Sequence, residues 1–177
     1  MKRRRDKSVT VGSTLLRHTV RDGDGVPRNR LLVDHLPQFI YVRRIGWFYF
    51  IGFMAVVAIG YVPAFHDADG NLFGLFKFDL YDDSLHAFSG LWAGVAAWWS
   101  YGATRTYFRL FGPLYFADGV MGLFLGSGYL DGGIFLYGPI KQSLYAHVFA
   151  NLPHLLIGGY AIWVGYRLAA TQRTAVA

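Results

Sequence analysis

The chain contains no cysteine, and none of its 11 acidic residues is glutamate. Without thiols, disulfides, thiol redox chemistry and Cys-ligated metals are excluded. Charge is scarce as well, at 16% of residues. It nearly vanishes from Ile45–Phe65, Leu85–Ala103, Leu110–Leu130 and Val148–Tyr166, where only His86, Asp118 and His154 are ionisable. Catalytic signatures are missing too: no Ser/His/Asp order, phosphate-binding glycine loop or zinc motif occurs, so no enzyme is expected. GSGYLDGG (126–133) reads as a turn at a helix end. HDADGN (66–71) resembles a Ca²⁺ ligand run with His66 beside it, but no acid stands at the twelfth position, and no metal is expected. The basic start, MKRRRDK, is followed by no apolar run until Ile45, which suits neither a cleavable nor a twin-arginine signal.

What remains is 54% hydrophobic and 18% aromatic. Each of the four apolar stretches has roughly the 20 residues needed to cross about 30 Å of hydrocarbon. The expected fold is an all-α membrane protein, a four-transmembrane-helix bundle over residues 45–168. A basic arm, 1–44, precedes it and a tail, 169–177, follows, leaving no room for a soluble domain of ordinary size. Of 17 Lys/Arg, 11 lie in the first 44 residues, while Arg105, Arg109, Arg167 and Arg173 occupy the second connection and the tail. The first and third connections hold only Lys77 and Lys141 against six aspartates. The positive-inside rule then places both termini in the cytoplasm and the protein in the cytoplasmic (inner) membrane.

This sidedness explains the net charge of +6 without nucleic acid. The arm, mobile or partner-bound over Met1–Arg30, suits anionic lipid or a partner protein, and Leu31–Tyr41 is apolar enough to lie on the membrane. Trp47, Phe48, Tyr49, Trp98, Trp99, Tyr101, Trp163 and Tyr166 form a cytoplasmic aromatic belt. On the outer side, 72–81 and 134–140 are too apolar for loops and too short to span, so short interfacial segments are expected there.

A two-helix unit is written twice. Asp83, His86, Gly90 and Ala93 match Asn151, His154, Gly158 and Ala161 at an offset of 68 residues. Gly52 and Met54 match Gly119 and Met121 less closely, at 67. Units of two spans preserve direction, so two parallel two-helix repeats are expected.

These pieces resemble an uncharacterised family, a domain of unknown function found in small bacterial four-helix integral membrane proteins. The resemblance rests on GLFKFDLYDDSLHAFSG, the turn around Arg105 and Arg109, LFGPLYFADGVMG and NLPHLLIGG, and covers about residues 45–168. It implies a four-helix fold with a repeated Asx-x-x-His-x-x-x-Gly motif and brings no activity.

Helical spacing places each intramembrane polar group on a face of small residues. His86 shares a face with Gly90 and Gly94, Asp118 with Gly122 and Gly126, and His154 with His147, Asn151 and Gly158. A polar cluster of His86, Asp118, Asn151 and His154 inside the bundle is expected, with these glycines as helix-packing positions. Asp118 and His154 fall near the same depth and are expected to hydrogen-bond. His86 is expected about two turns higher, bonded to Ser89, Asp83 or an outer-loop group.

Three functional readings stay open. The first is an accessory or scaffold subunit that binds a larger membrane complex, with the arm as a candidate contact. The second is a small transporter or channel with Asp118 and His154 in its path. The third is a haem- or chlorophyll-binding protein ligated by His86 and His154. It is disfavoured by the depth difference and the absence of a second histidine pair, and no cofactor is expected.

Overall fold

The computed structural model describes residues 37–74, 80–141 and 143–169. Among them are helices and loops and no strand, with four long helices: α1 (Pro37–Gly60), α2 (Leu80–Trp99), α3 (Tyr101–Leu125) and α5 (Leu144–Trp163). A short α4 (Gly133–Tyr137) precedes α5, and a π-helical turn, Val164–Leu168, ends it. Among the described residues, three segments are long and apolar enough to cross a membrane: Phe39–Gly60, Tyr101–Leu125 and Leu144–Leu168. The expected second span, α2, falls short on composition, with Asp82, Asp83, Ser84, His86 and Ser89 in its first half.

Helix limits differ from those expected for local reasons. Residues 37–44, expected in the arm, belong to α1. The rest of the arm, 1–36, and the tail from 170 lie outside the described residues, as do 75–79 of the first outer segment. The connection expected over 104–109 is helical. Ser100 alone separates α2 from α3: its backbone is extended and its Oγ accepts from the Ala103 N–H at 3.1 Å, an N-cap. At the other end α3 stops at Leu125, because Gly126 adopts φ +75° and donates to the Gly122 carbonyl. Residues 126–130, expected to be helical, are therefore loop.

The helices pack most closely in two pairs, α1 with α2 and α3 with α5. Glycine allows both approaches. A Cβ on Gly90 would stand 2.9 Å from the Phe53 Cβ, and one on Gly94 would be as close to the Phe50 ring. In the second pair backbones meet directly. A Cβ on Gly112 would lie 2.7 Å from the Ile162 nitrogen, and one on Gly158 would collide with the Phe116 backbone. Between the pairs runs a buried aromatic column along α3: Tyr107, Phe111 and Tyr115 stack in sequence at 5.0 and 4.6 Å. Tyr49 from α1 meets it edge-on and donates its hydroxyl to the Ile157 carbonyl of α5.

The expected belt divides in two. Trp98 and Trp99 are exposed, whereas Tyr49 turns inward and Tyr101 is buried with its hydroxyl on the Ala169 carbonyl. Pro113 inside α3 leaves the Arg109 carbonyl without its helical donor, and the Tyr166 hydroxyl stands 3.4 Å from it.

Candidate functional site: a histidine pair beside a cavity

Asp118 lies on the buried face of α3, fully enclosed. The loop after Gly126 folds back along α3, and the Tyr129 hydroxyl reaches the Leu114 carbonyl at 2.7 Å. On the way down, the N–H groups of Tyr129 and Leu130 donate to Asp118 Oδ1 at 2.7 and 2.9 Å. A non-helical backbone inside an apolar bundle needs such partners. Gly128 makes the approach possible, since a Cβ there would sit 2.7 Å from the carboxylate.

His154 faces the other carboxylate oxygen. Its Nε2 is 3.8 Å from Asp118 Oδ2, close enough for attraction but too long for a hydrogen bond. The expected Asp118–His154 hydrogen bond is therefore corrected: the two are neighbours, and the short bonds of Asp118 go to the loop backbone. His154 stacks on Tyr115 at 4.5 Å. The Tyr115 hydroxyl is buried with no hydrogen-bond partner among the described residues, and His154 Nδ1 is buried as well.

His86 is not set apart in depth. Its ring lies 6.4 Å from that of His154 and 5.8 Å from Phe53, centroid to centroid. Its Nδ1 donates to the Asp82 carbonyl at 2.7 Å, one turn earlier, a bond within its own helix that the spacing of polar side chains does not announce. The depth estimate failed because α2 begins at Leu80, which shifts the helix relative to its expected limits. Asn151 is buried but serves the α3–α5 seam. Its Nδ2 donates to the His147 carbonyl, and its Oδ1 packs on Gly122. The ring nitrogens of His147 lie 3.1 and 3.3 Å from the Leu123 and Ile140 carbonyls, tying the start of α5 to the end of α3. Of the expected packing glycines, Gly90, Gly94, Gly122 and Gly158 stand at helix seams. Gly126 instead ends α3.

A partly open cavity of about 580 Å³ lies between α1 and α5, with His86, Tyr115 and His154 in its wall. Gly52, Val56 and Ile59 of α1 and Pro153, Leu156 and Ile157 of α5 form its sides. Leu72 and Phe73 also line it, from the loop that follows α1. That loop is built on Asp67, whose carboxylate accepts from the Asn71 and Asp69 N–H groups at 2.7 and 3.0 Å and from the Asn71 side chain. These bonds, chiefly the Asn71 N–H, hold the Asp67 pKa below its ordinary value. The carboxylate that suggested a Ca²⁺ loop is thus engaged by its own turn. Among the described residues no three His or Asp side chains are grouped to hold a metal. Phe73 adopts φ +54°, which is uncommon for an aromatic residue, and its ring meets Phe65 at 5.4 Å. Nearby, the Asp83 carboxylate accepts from the Tyr61 hydroxyl and pushes its pKa up.

Reading the sequence alone missed Tyr115, Phe53, Gly128 and the loop backbone at Asp118. Helical spacing could have placed Tyr115 one turn before Asp118, but no pattern within α3 announces a loop folding back on it. No curated protein and no solved structure matches the chain. A family defined as a domain of unknown function (DUF4383) matches residues 45–138, which include α2, α3 and all but the first turns of α1. The chain belongs to that uncharacterised family.

Proposed function

We propose that the chain is a four-span protein of the cytoplasmic membrane, both termini cytoplasmic, that serves as an accessory subunit holding a membrane-soluble ligand. Counting α2 as the fourth span is supported by its packing on α1 through Gly90, Ala93 and Gly94. It also keeps residues 1–44 and the Arg105–Arg109 segment on one side, as the positive-inside rule asks. The two-repeat organisation is supported by Gly90 and Gly158, matched in sequence, each of which receives the other helix of its own pair.

The observation that carries the function is the cavity between α1 and α5, whose wall holds His86 and His154 among apolar residues. Its volume falls within the range of about 300–1,000 Å³ common for small-molecule sites. A gap between two membrane-crossing helices is reached from lipid. The test is lipid analysis of the purified protein. Wild type should carry a co-purifying lipophile that Gly52→Leu loses, since a Cβ at Gly52 meets nothing within 4 Å and the larger side chain projects into the space. Identical extracts from both proteins would defeat the proposal. On native gels a tagged copy from gently solubilised membranes should migrate with a larger complex. Migration only as a small, partner-free species would remove the accessory role.

The channel reading leans on Asp118, and the two N–H groups on its carboxylate favour an anchoring role instead. For haem, the approach of His86 to His154 is favourable, but the Asp118 carboxylate facing His154 Nε2 is not. A purified protein without a Soret band is the expected result.

A further inference from the structure

We propose that the cavity takes one acyl chain of an anionic phospholipid, whose phosphate rests on Arg44 of α1. This rests on the cavity being a ligand site, as argued above, and adds the class of ligand and the place of its head group.

The shape and lining of the cavity suit a hydrocarbon chain. Its α1 side runs from Phe48 to Ile59, about three turns or about 16 Å. A volume of about 580 Å³ over that length gives a mean width on the order of 6 Å. One chain can touch both walls of such a slot, whereas a helix, about 10 Å across, cannot enter it. The wall is almost wholly carbon. Its polar atoms are turned elsewhere: the Tyr49 hydroxyl donates to the Ile157 carbonyl, His86 Nδ1 donates to the Asp82 carbonyl, and His154 Nε2 faces Asp118. A chain of methylenes asks for no hydrogen bond there and gains from contact alone. Phe48 on α1 and Leu156 on α5 are both exposed, so the slot opens to lipid between these two edges.

Charge decides which lipid enters and which way it points. At one end Arg44 stands one turn before Phe48 in α1. It is exposed and has no hydrogen bond or ion pair among the described residues. Its neighbour Arg43 is committed to the fold, with Nε and Nη2 donating to the Ala97 and Trp98 carbonyls. Arg167, exposed at the end of α5, adds positive charge on the same side of the bundle. At the other end the loop that supplies Leu72 and Phe73 also carries Asp67 and Asp69, which repel a phosphate. Neither α1 nor α5 contains an acidic residue, so an amine on the head group would find no partner on these helices. An anionic head at Arg44 with its chain running toward Leu72 meets both conditions, and a guanidinium pairs with phosphate through charge-assisted hydrogen bonds. In the orientation proposed above this is the cytoplasmic leaflet.

The test uses the full chain in phosphatidylcholine nanodiscs carrying a trace of one photoreactive lipid. Phosphatidylglycerol and phosphatidylcholine with the same diazirine-bearing acyl chain are used in turn. After illumination, labelled peptides are mapped by mass spectrometry. Labelling of Val56, Ile59, Leu156 and Ile157 is expressed relative to Leu91, an exposed residue of α2 outside the slot, so that any general attraction of anionic lipid to the basic arm cancels. This ratio should be about fivefold higher for phosphatidylglycerol, the effect expected of one arginine at an anionic head group. Arg44→Gln should bring the two lipids together while phosphatidylcholine still labels the slot. Gly52→Leu, checked for helix content and elution volume, should clear the slot of label from either lipid. Equal ratios for the two lipids in wild type, or a preference unchanged by Arg44→Gln, overturns the anionic head at Arg44 and leaves the cavity standing. Slot labelling no higher than at Leu91 for both lipids, and indifferent to Gly52→Leu, overturns the cavity as a ligand site, and the lipid with it.

Discussion

At the scale of single residues, Asp118 shows how one carboxylate can be read correctly for place and wrongly for partner. Its spacing from Gly122 predicts an inward-facing position, and the structure places it there. Its principal partners, the N–H groups of Tyr129 and Leu130, are backbone donors whose approach depends on a loop conformation. Backbone groups have no sequence signature, so the only polar side chain at a similar depth, His154, was the natural candidate. The prediction follows from the observed bonds. Asp118→Leu leaves two buried donors unpaired, at about 1–3 kcal/mol each, whereas Asp118→Asn keeps an acceptor and should lose much less. Thermal unfolding in detergent should separate wild type, Asn and Leu in that order. Asp67 gives a pH dependence. Its folded pKa is lowered, so its contribution is fully present above the unfolded carboxylate value and is lost as pH falls through the folded one. Protection factors of the Asp69 and Asn71 amides, measured against the intrinsic exchange rate at each pH, should therefore fall in acid while those of the helices persist.

At the scale of elements, three of the four expected spans correspond to segments long and apolar enough to cross a membrane, because length and hydropathy are written locally. Their ends were not legible. A connection of one residue, Ser100, leaves no polar cluster to mark it, and the arginines that suggested a turn at 105–109 lie on the first turns of α3. Arg109 Nε instead donates to the Gly165 carbonyl, and its guanidinium lies over the Tyr166 ring. The packing glycines of α2 were legible from their spacing. Gly112 and Gly119 on α3, which meet Ile162 and His154, were passed over because no polar residue drew attention to them as packing positions. Since α3 and α5 touch through backbone at Gly158, Gly158→Val should force them apart. The expected loss is in the overpacking range of about 1–3 kcal/mol. Gly52→Val, in open space, should cost little beyond lower helix propensity. Comparing the two by thermal unfolding checks the seam.

At the scale of the whole molecule, the absence of cysteine makes the proposed topology directly testable. Single cysteines can be introduced at Asp69, in the loop after α1, and at Gly102, beside the α2–α3 turn; both positions are exposed. In intact cells an impermeant maleimide should label Asp69→Cys. Gly102→Cys should react only after permeabilisation. The reverse pattern would invert the protein, and labelling of both in intact cells would remove the even number of spans. The charge bias was legible because it is a sum over many residues and tolerates local errors. The cavity was not, because it arises where two tightly packed helix pairs fail to close on one another, which no single stretch of sequence encodes.

The position of that gap between α1 and α5 alters how its occupancy should be counted. A site in a soluble protein samples ligand per litre of water. A site entered from the side of a bilayer samples ligand per lipid molecule. Diluting vesicles in buffer at a constant ratio of ligand to lipid should leave the site as full as before. Adding empty vesicles at constant total ligand should drain it, although no aqueous concentration has been deliberately changed.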